Sequence, residues 1–123
     1  MTDYYENFLV YDGSYFAVYF HAEAHDFSSV NEYYKSCQNI TRASLLFLVK
    51  RIADTGRIFD ERKFRYEYKK NKIYCFKPRD ERFLCFFLKD KRIIITSGYT
   101  KKGQKLDRNE LAKAVKIRNE YFD

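Results

Sequence analysis

The chain is poor in the residues that disulfide-stabilised or metal-dependent domains rely on, with three cysteines, two histidines, one proline and four glycines in 123 residues. Cys37, Cys75 and Cys85 form an odd set without CxxC spacing, so neither a disulfide framework nor a zinc site is expected. They read as reduced core thiols, although a hairpin could set Cys75 and Cys85 face to face. The two histidines flank a carboxylate in His21-Ala22-Glu23-Ala24-His25. On a helix that spacing could begin a metal site, but the segment follows a strand-like run and brings no third ligand, so we read it as a solvated strand end or loop. Acid–base chemistry elsewhere must then use Lys, Arg, Tyr or a carboxylate.

Other absences set the class. No Pro- or Gly-rich stretch reads as a linker, which predicts a single domain over 1–123. No apolar run approaches the roughly 20 residues needed to cross a bilayer, and Met1-Thr2-Asp3-Tyr4-Tyr5-Glu6 lacks the basic and apolar parts of a secretion signal. A cytoplasmic protein with no membrane role is the expectation.

What is present is aromatic and basic. Twelve Phe, twelve Tyr and a 46% hydrophobic content are enough for a sizeable core, despite 33% charged residues. The net charge of +7 is unevenly placed: residues 1–56 carry four Lys/Arg against seven Asp/Glu, and residues 57–123 carry twenty against ten. A half-chain at +10 points to a polyanion, either nucleic acid or an acidic protein. A membrane surface is disfavoured because the cations interleave with strand patterns instead of lining one amphipathic helix.

Asn7 to Tyr11 and Tyr15 to Phe20 flank the tight-turn pair Asp12-Gly13, which predicts a hairpin. Ser28 or Ser29 can cap a short helix through Val30 to Lys35. Leu45, Leu48, Val49, Ile52 and Ala53 recur at helical spacing and predict a helix over 42–55, capped by Thr41 and ended by Gly56. Phe64, Tyr66 and Tyr68 alternate with charged residues as a half-buried strand does. Ile73 to Lys77 and Arg82 to Leu88 form two strands joined by a turn at Pro78-Arg79-Asp80-Glu81, and Ile93 to Thr96 reads as a central strand that Gly98 ends. After a basic loop, Asp107 followed by Glu110 resembles a capping box opening a last helix. The expected fold is α+β: a small antiparallel sheet of three to five strands with helices packed on one side.

Gly98-Tyr99-Thr100-Lys101-Lys102-Gly103-Gln104-Lys105 resembles a P-loop in position, yet Gln104 and Lys105 stand where that loop needs Lys and then Ser or Thr. Nucleotide hydrolysis is rejected on that ground. Tyr66, Tyr68, Tyr74 and Tyr99 lie among cations, where a ring can stack on an unpaired base, although core or sheet packing is the commoner use. Lys77, Arg79 and Arg82 surround one turn, while Lys101, Lys102 and Lys105 fill the loop before the last helix. Together the two clusters suggest a converging basic surface.

The run Ile73-Tyr74-Cys75-Phe76-Lys77, then Arg82-Phe83-Leu84-Cys85-Phe86-Phe87, Ile93-Ile94-Ile95, Gly98-Tyr99-Thr100-Lys101-Lys102 and a helix ending Arg118-Asn119-Glu120-Tyr121 resembles the HigB-like branch of the RelE/ParE toxin superfamily. The likeness covers roughly residues 41–123. It leaves the N-terminal hairpin, about 1–25, as an extension, and it sets Asp80-Glu81 beside the cleft. The resemblance implies a RelE-like fold and the toxin of a type II toxin–antitoxin system, an mRNA endoribonuclease acting with or without the ribosome. It also implies a co-encoded antitoxin of helix-turn-helix type and no cofactor or metal.

Carried over by motif position, Lys77 and Arg82 line the cleft beneath the scissile phosphate. Lys101 and Lys102 hold the RNA backbone, with Lys102 also in the catalytic set. Tyr121 or Arg118 approaches from the terminal helix, Tyr121 in the catalytic set as an acid or orienting group and Arg118 as an RNA contact, while Arg79, Tyr99 and Lys105 complete the RNA-binding group. RNA carries its own nucleophile in the 2′-hydroxyl, so positioning, charge stabilisation and proton transfer suffice, with a lysine crowded by other cations as a candidate proton acceptor. Two other readings share the basic face: a superfamily toxin that inhibits a protein such as gyrase, and a non-catalytic nucleic-acid-binding module.

Overall fold

A computed structural model describes residues 4–58, 60–68, 70–103 and 107–122. A 3-10 helix, Tyr4–Phe8, leads into the hairpin β1 (Leu9–Asp12) and β2 (Ala17–Phe20). Gly13 is required in its turn, because a Cβ there would stand 2.5 Å from the backbone of Ala53. The helices α1 (Ser29–Ser36) and α2 (Asn39–Thr55) follow, then β3 (Phe64–Tyr68), β4 (Ile73–Phe76), β5 (Glu81–Leu88), β6 (Arg92–Thr100) and α3 (Arg108–Tyr121).

The local signals explain most of these boundaries. Ser28 caps α1 by accepting from the Asn31 N–H, and Asp107 caps α3 by accepting from the N–H groups of Asn109 and Glu110, satisfying donors that a helix start leaves open. Gly56, at φ 87°, ends α2 in the left-handed conformation that glycine adopts freely. The start of α2 differs from expectation. Thr41 is not its cap but a buried residue inside the helix, which begins after Gln38 without a side-chain cap.

The α+β content agrees with the sequence, but the sheet is larger and differently built. It has six strands in the order β1-β2-β6-β5-β4-β3 and is mixed, because β2 runs parallel to β6. Parallel neighbours need a long crossover, which α1, α2 and β3 to β5 supply here. The N-terminal hairpin is thus built into the sheet.

The helices also occupy both faces, where one face was expected. Val18, Phe20, Phe83, Cys85, Ile93 and Ile95 pack with α1 and α2. Ile73, Cys75, Leu84, Phe86 and Ile94 pack with Ala114 and Ile117 of α3 and with Tyr5. The cause is strand alternation: β4, β5 and β6 are apolar on both sides, so each face needs its own cover. Phe83 and Phe86, fully buried on opposite faces, each contribute about 2–3 kcal/mol of burial.

Cys75 and Cys85 fall on opposite faces for the same reason, since Cys75 pairs with Leu84 and Tyr74 with Cys85. They cannot face each other. All three thiols are free, and burial pushes the Cys75 thiol up to about 12. Gly98 does not end β6, which runs on to Thr100 and pairs Tyr99 with Arg82 and Thr100 with Glu81. Tyr33 and Phe83 crowd the space a side chain at Gly98 would enter, at 2.6 and 2.8 Å.

Candidate active site

Alternation along β5 sends Arg82, Leu84 and Phe86 to the α3 face. Register places Tyr99 opposite Arg82, and the buried Cys75 lies opposite Leu84. Lys77 continues the phase of Ile73 and Cys75, and its backbone N–H reaches the Lys63 carbonyl at 2.8 Å. At this end of the sheet, Lys77, Arg82 and Tyr99 therefore share one face around Cys75.

A fourth member was missing from the sequence reading. Glu67 sits at an irregularity in β3, where the register with β4 shifts between Tyr66 and Tyr68. There its carboxylate lies 3.5 Å from the Lys77 ammonium and 4.0 Å from Arg65, with Lys77 and Glu67 both mostly shielded from solvent. Glu67 also acts electrostatically on Cys75 and on Tyr99. Lys77 therefore faces an acid and not only cations: where the sequence suggested some lysine crowded by cations as proton acceptor, the structure sets a carboxylate against the Lys77 ammonium. The signal available in the sequence was a lone acid in a strand of basic surroundings.

Tyr99 is half-buried, and its phenol is pushed up to about 12, chiefly by burial. It stays protonated at neutral pH as a hydrogen-bond donor. Its oxygen accepts a hydrogen bond from the Asp107 backbone N–H, tying the start of α3 to this end of the sheet. Arg82 donates through one terminal nitrogen to the carbonyls of Arg79 and Glu81, each at 2.8 Å. That nitrogen braces the turn, whose Arg79 has a left-handed φ of 57°; the other nitrogens of the planar guanidinium make no hydrogen bond among the described residues. Lys101 and Lys102 are exposed just past β6, and the Lys101 N–H bonds the Asp80 carbonyl at 2.8 Å, joining their loop to the same turn. Lys105 lies outside the described residues.

Three expectations are redirected. Tyr121 is not brought to this cluster: it ends α3 at the far end of the sheet, its hydroxyl 2.8 Å from His21 Nδ1 and its ring against Tyr5 and Phe86. Arg118 sits at that same end, its guanidinium over the Phe122 ring. The fourteen residues of α3 span about 20 Å, too far for either to join the cleft. His21, expected to be solvated, is 8% exposed and bonded to Tyr121, and burial lowers its pKa.

Among the other tyrosines, Tyr66 and Tyr74 stack on each other at 4.5 Å with Phe64 and Phe87, in a row set on the face opposite the cleft. Glu81, expected beside the cleft, turns to that opposite face and binds the hydroxyls of Tyr33 and Thr100. Beside the cluster a groove of about 1020 Å³ runs between α3 and β3, from Glu67 along Tyr68, Leu111 and Val115.

A family model described as phage derived protein Gp49-like (DUF891) matches residues 17–119, from the first residue of β2 almost to the end of α3. No curated protein matches the chain.

Proposed function

The chain belongs to the Gp49-like family of phage-derived proteins, a toxin family of toxin–antitoxin systems of the RelE/HigB type, and from that premise we propose that it is an endoribonuclease that cleaves mRNA through the 2′-hydroxyl. The observation that carries this reading is the meeting of Glu67, Lys77, Arg82 and Tyr99 on one face at one end of the sheet. Each supplies what in-line attack by a 2′-hydroxyl requires.

Glu67 is the base that takes the 2′-hydroxyl proton, with the Lys77 ammonium at 3.5 Å holding the carboxylate in place. The free edge of the Arg82 guanidinium and the Lys77 ammonium meet the charge that develops on the phosphorane oxygens. Tyr99, protonated at neutral pH, donates a hydrogen bond to a phosphate oxygen. Lys101 and Lys102 hold the backbone entering the cleft, and Arg79 contributes at the turn. Nothing in this scheme requires a metal ion, because the nucleophile belongs to the substrate.

Membership of a toxin–antitoxin family implies a cognate antitoxin, which we take to be a helix-turn-helix protein that neutralises the basic end of the sheet. Among the described residues no helix is long and apolar enough to cross a membrane. The deciding experiment incubates the purified protein with defined RNA, with and without ribosomes. Cleavage that persists in EDTA and leaves a 2′,3′-cyclic phosphate is the expected result. RNA left intact under both conditions would remove the catalytic reading.

A further inference from the structure

The turn between β4 and β5 presents side chains to both faces of the sheet. Glu81 and Arg82 are consecutive in a strand, so they point to opposite faces: Arg82 toward the cleft, Glu81 into a cavity of about 460 Å³ between the turn and the α1–α2 junction. Thr100 and Asp80, which line this cavity, adjoin Lys101 in the chain and through the hydrogen bond of the Lys101 N–H to the Asp80 carbonyl. A strand of RNA held at Arg82 and Lys101 therefore has this cavity within reach of a neighbouring nucleotide.

The lining has a definite polarity. Tyr33 and Thr100 have their hydroxyls engaged with Glu81. Thr41, at 7% exposure, is a largely buried part of the wall. Gln38, Arg79 and Asp80 also line the space, and no hydrogen bond or ion pair of their side chains occurs among the described residues. Asp80 and Arg79 are carried on a turn braced by Arg82 and by the Lys101 N–H, so their backbone is held in place. The cavity thus offers one carboxylate that only accepts, an amide that can donate and a planar guanidinium, with no partner among the described residues.

Two carboxylates, Asp80 and Glu81, disfavour a second phosphate here. A base edge fits better, and the bases differ in what they present. Guanine sets two adjacent donors, N1–H and N2–H, next to the O6 acceptor. Adenine and cytosine present a single exocyclic donor beside an acceptor, and the uracil N3–H is flanked by two carbonyls that a carboxylate would repel. Only guanine satisfies both oxygens of Asp80 while giving Gln38 an acceptor.

We propose that this cavity is a guanine subsite for a nucleotide next to the scissile phosphate, with Asp80 accepting from N1–H and N2–H, Gln38 donating to O6 and Arg79 stacked on the ring. The proposal rests on the RNA-cleaving reading and extends it to sequence preference. Stacking on a guanidinium and pairing at the base edge are the usual means of reading single-stranded RNA.

The test uses short RNAs that differ only in the base on either side of one cleavage position. Wild-type protein is expected to favour guanine over adenine at one of those positions by about 10-fold or more, the scale of one good paired contact. Asp80→Asn, which replaces an acceptor by a donor, and Gln38→Ala should both bring that ratio close to unity. In a second arm, guanosine 3′-monophosphate should shift the backbone amide resonances of residues 36–41 and 79–81, adenosine 3′-monophosphate should not, and Asp80→Asn should abolish the shift. Cleavage without a base preference, a preference that survives both variants, or shifts confined to other residues would overturn the subsite while leaving the nuclease reading intact. Guanine-specific shifts at these amides in a protein that cuts no RNA would support the subsite and overturn the nuclease reading instead.

Discussion

The carboxylate of Glu67 stands 3.5 Å from the ammonium of Lys77, and both groups are mostly withdrawn from solvent on the face that also carries Arg82 and Tyr99. A partly buried pair of this kind costs desolvation that an exposed pair does not, so its presence beside a basic cleft suits catalysis better than stability. Glu67→Gln, close in size and unable to accept a proton, is expected to slow RNA cleavage by about 10²–10⁴-fold, the range for losing a general base. An unchanged cleavage rate in a folded Glu67→Gln protein would assign Glu67 to structure alone.

Arg82 has two duties, because it braces the turn through the carbonyls of Arg79 and Glu81 while presenting its remaining nitrogens to the cleft. Arg82→Ala should reduce cleavage by about 10²–10³-fold, as expected for one lost transition-state donor. Two lost hydrogen bonds should also lower stability by about 1–3 kcal/mol, readable by denaturant titration. Arg82→Lys is expected to restore part of the rate only, since an ammonium cannot contact two phosphate oxygens in the same geometry.

Lys101 and Lys102 are exposed, and the Lys101 N–H anchors their loop to the turn at the Asp80 carbonyl. Replacing both by Ala should weaken RNA binding and reduce the slope of log affinity against log salt by about 1.4, or 0.7 for each phosphate contact on single strands. Filter binding across a salt series reads this directly. A slope equal to that of the wild type would place the RNA backbone elsewhere.

His21 predicts a pH dependence of stability. Burial lowers its pKa below the usual 6.5, so the unfolded chain takes up a proton at a higher pH than the folded one. The neutral imidazole contributes its full stability above about pH 7, and that contribution is lost as pH falls through the ordinary histidine range toward the lowered folded value. The melting temperature should therefore decline between pH 7 and 5 in the wild type. In His21→Gln, which removes the titration, the decline should be shallower. Parallel curves for the two proteins would show that His21 does not titrate on folding.

The sequence by itself determined the elements and the basic half. Ser28 and Asp107 cap helices by local hydrogen bonds, Gly56 closes one by its φ, and the alternation of Phe64, Tyr66 and Tyr68 marks a strand, because each signal acts over a few residues. Lys77, Arg82 and Tyr99 were legible for the same reason, being close in sequence to turns that bring them together. Tertiary structure decided what depends on distant pairing. The parallel contact of β2 with β6 joins segments more than seventy residues apart, and it is this contact that makes the hairpin part of the sheet. A register shift within β3 brings Glu67 to Lys77, and the direction of α3 carries Tyr121 to His21 and away from the cleft. No local pattern encodes these outcomes, because strand pairing and helix docking are settled by which apolar faces must be covered, and β4, β5 and β6, apolar on both sides, required cover on both.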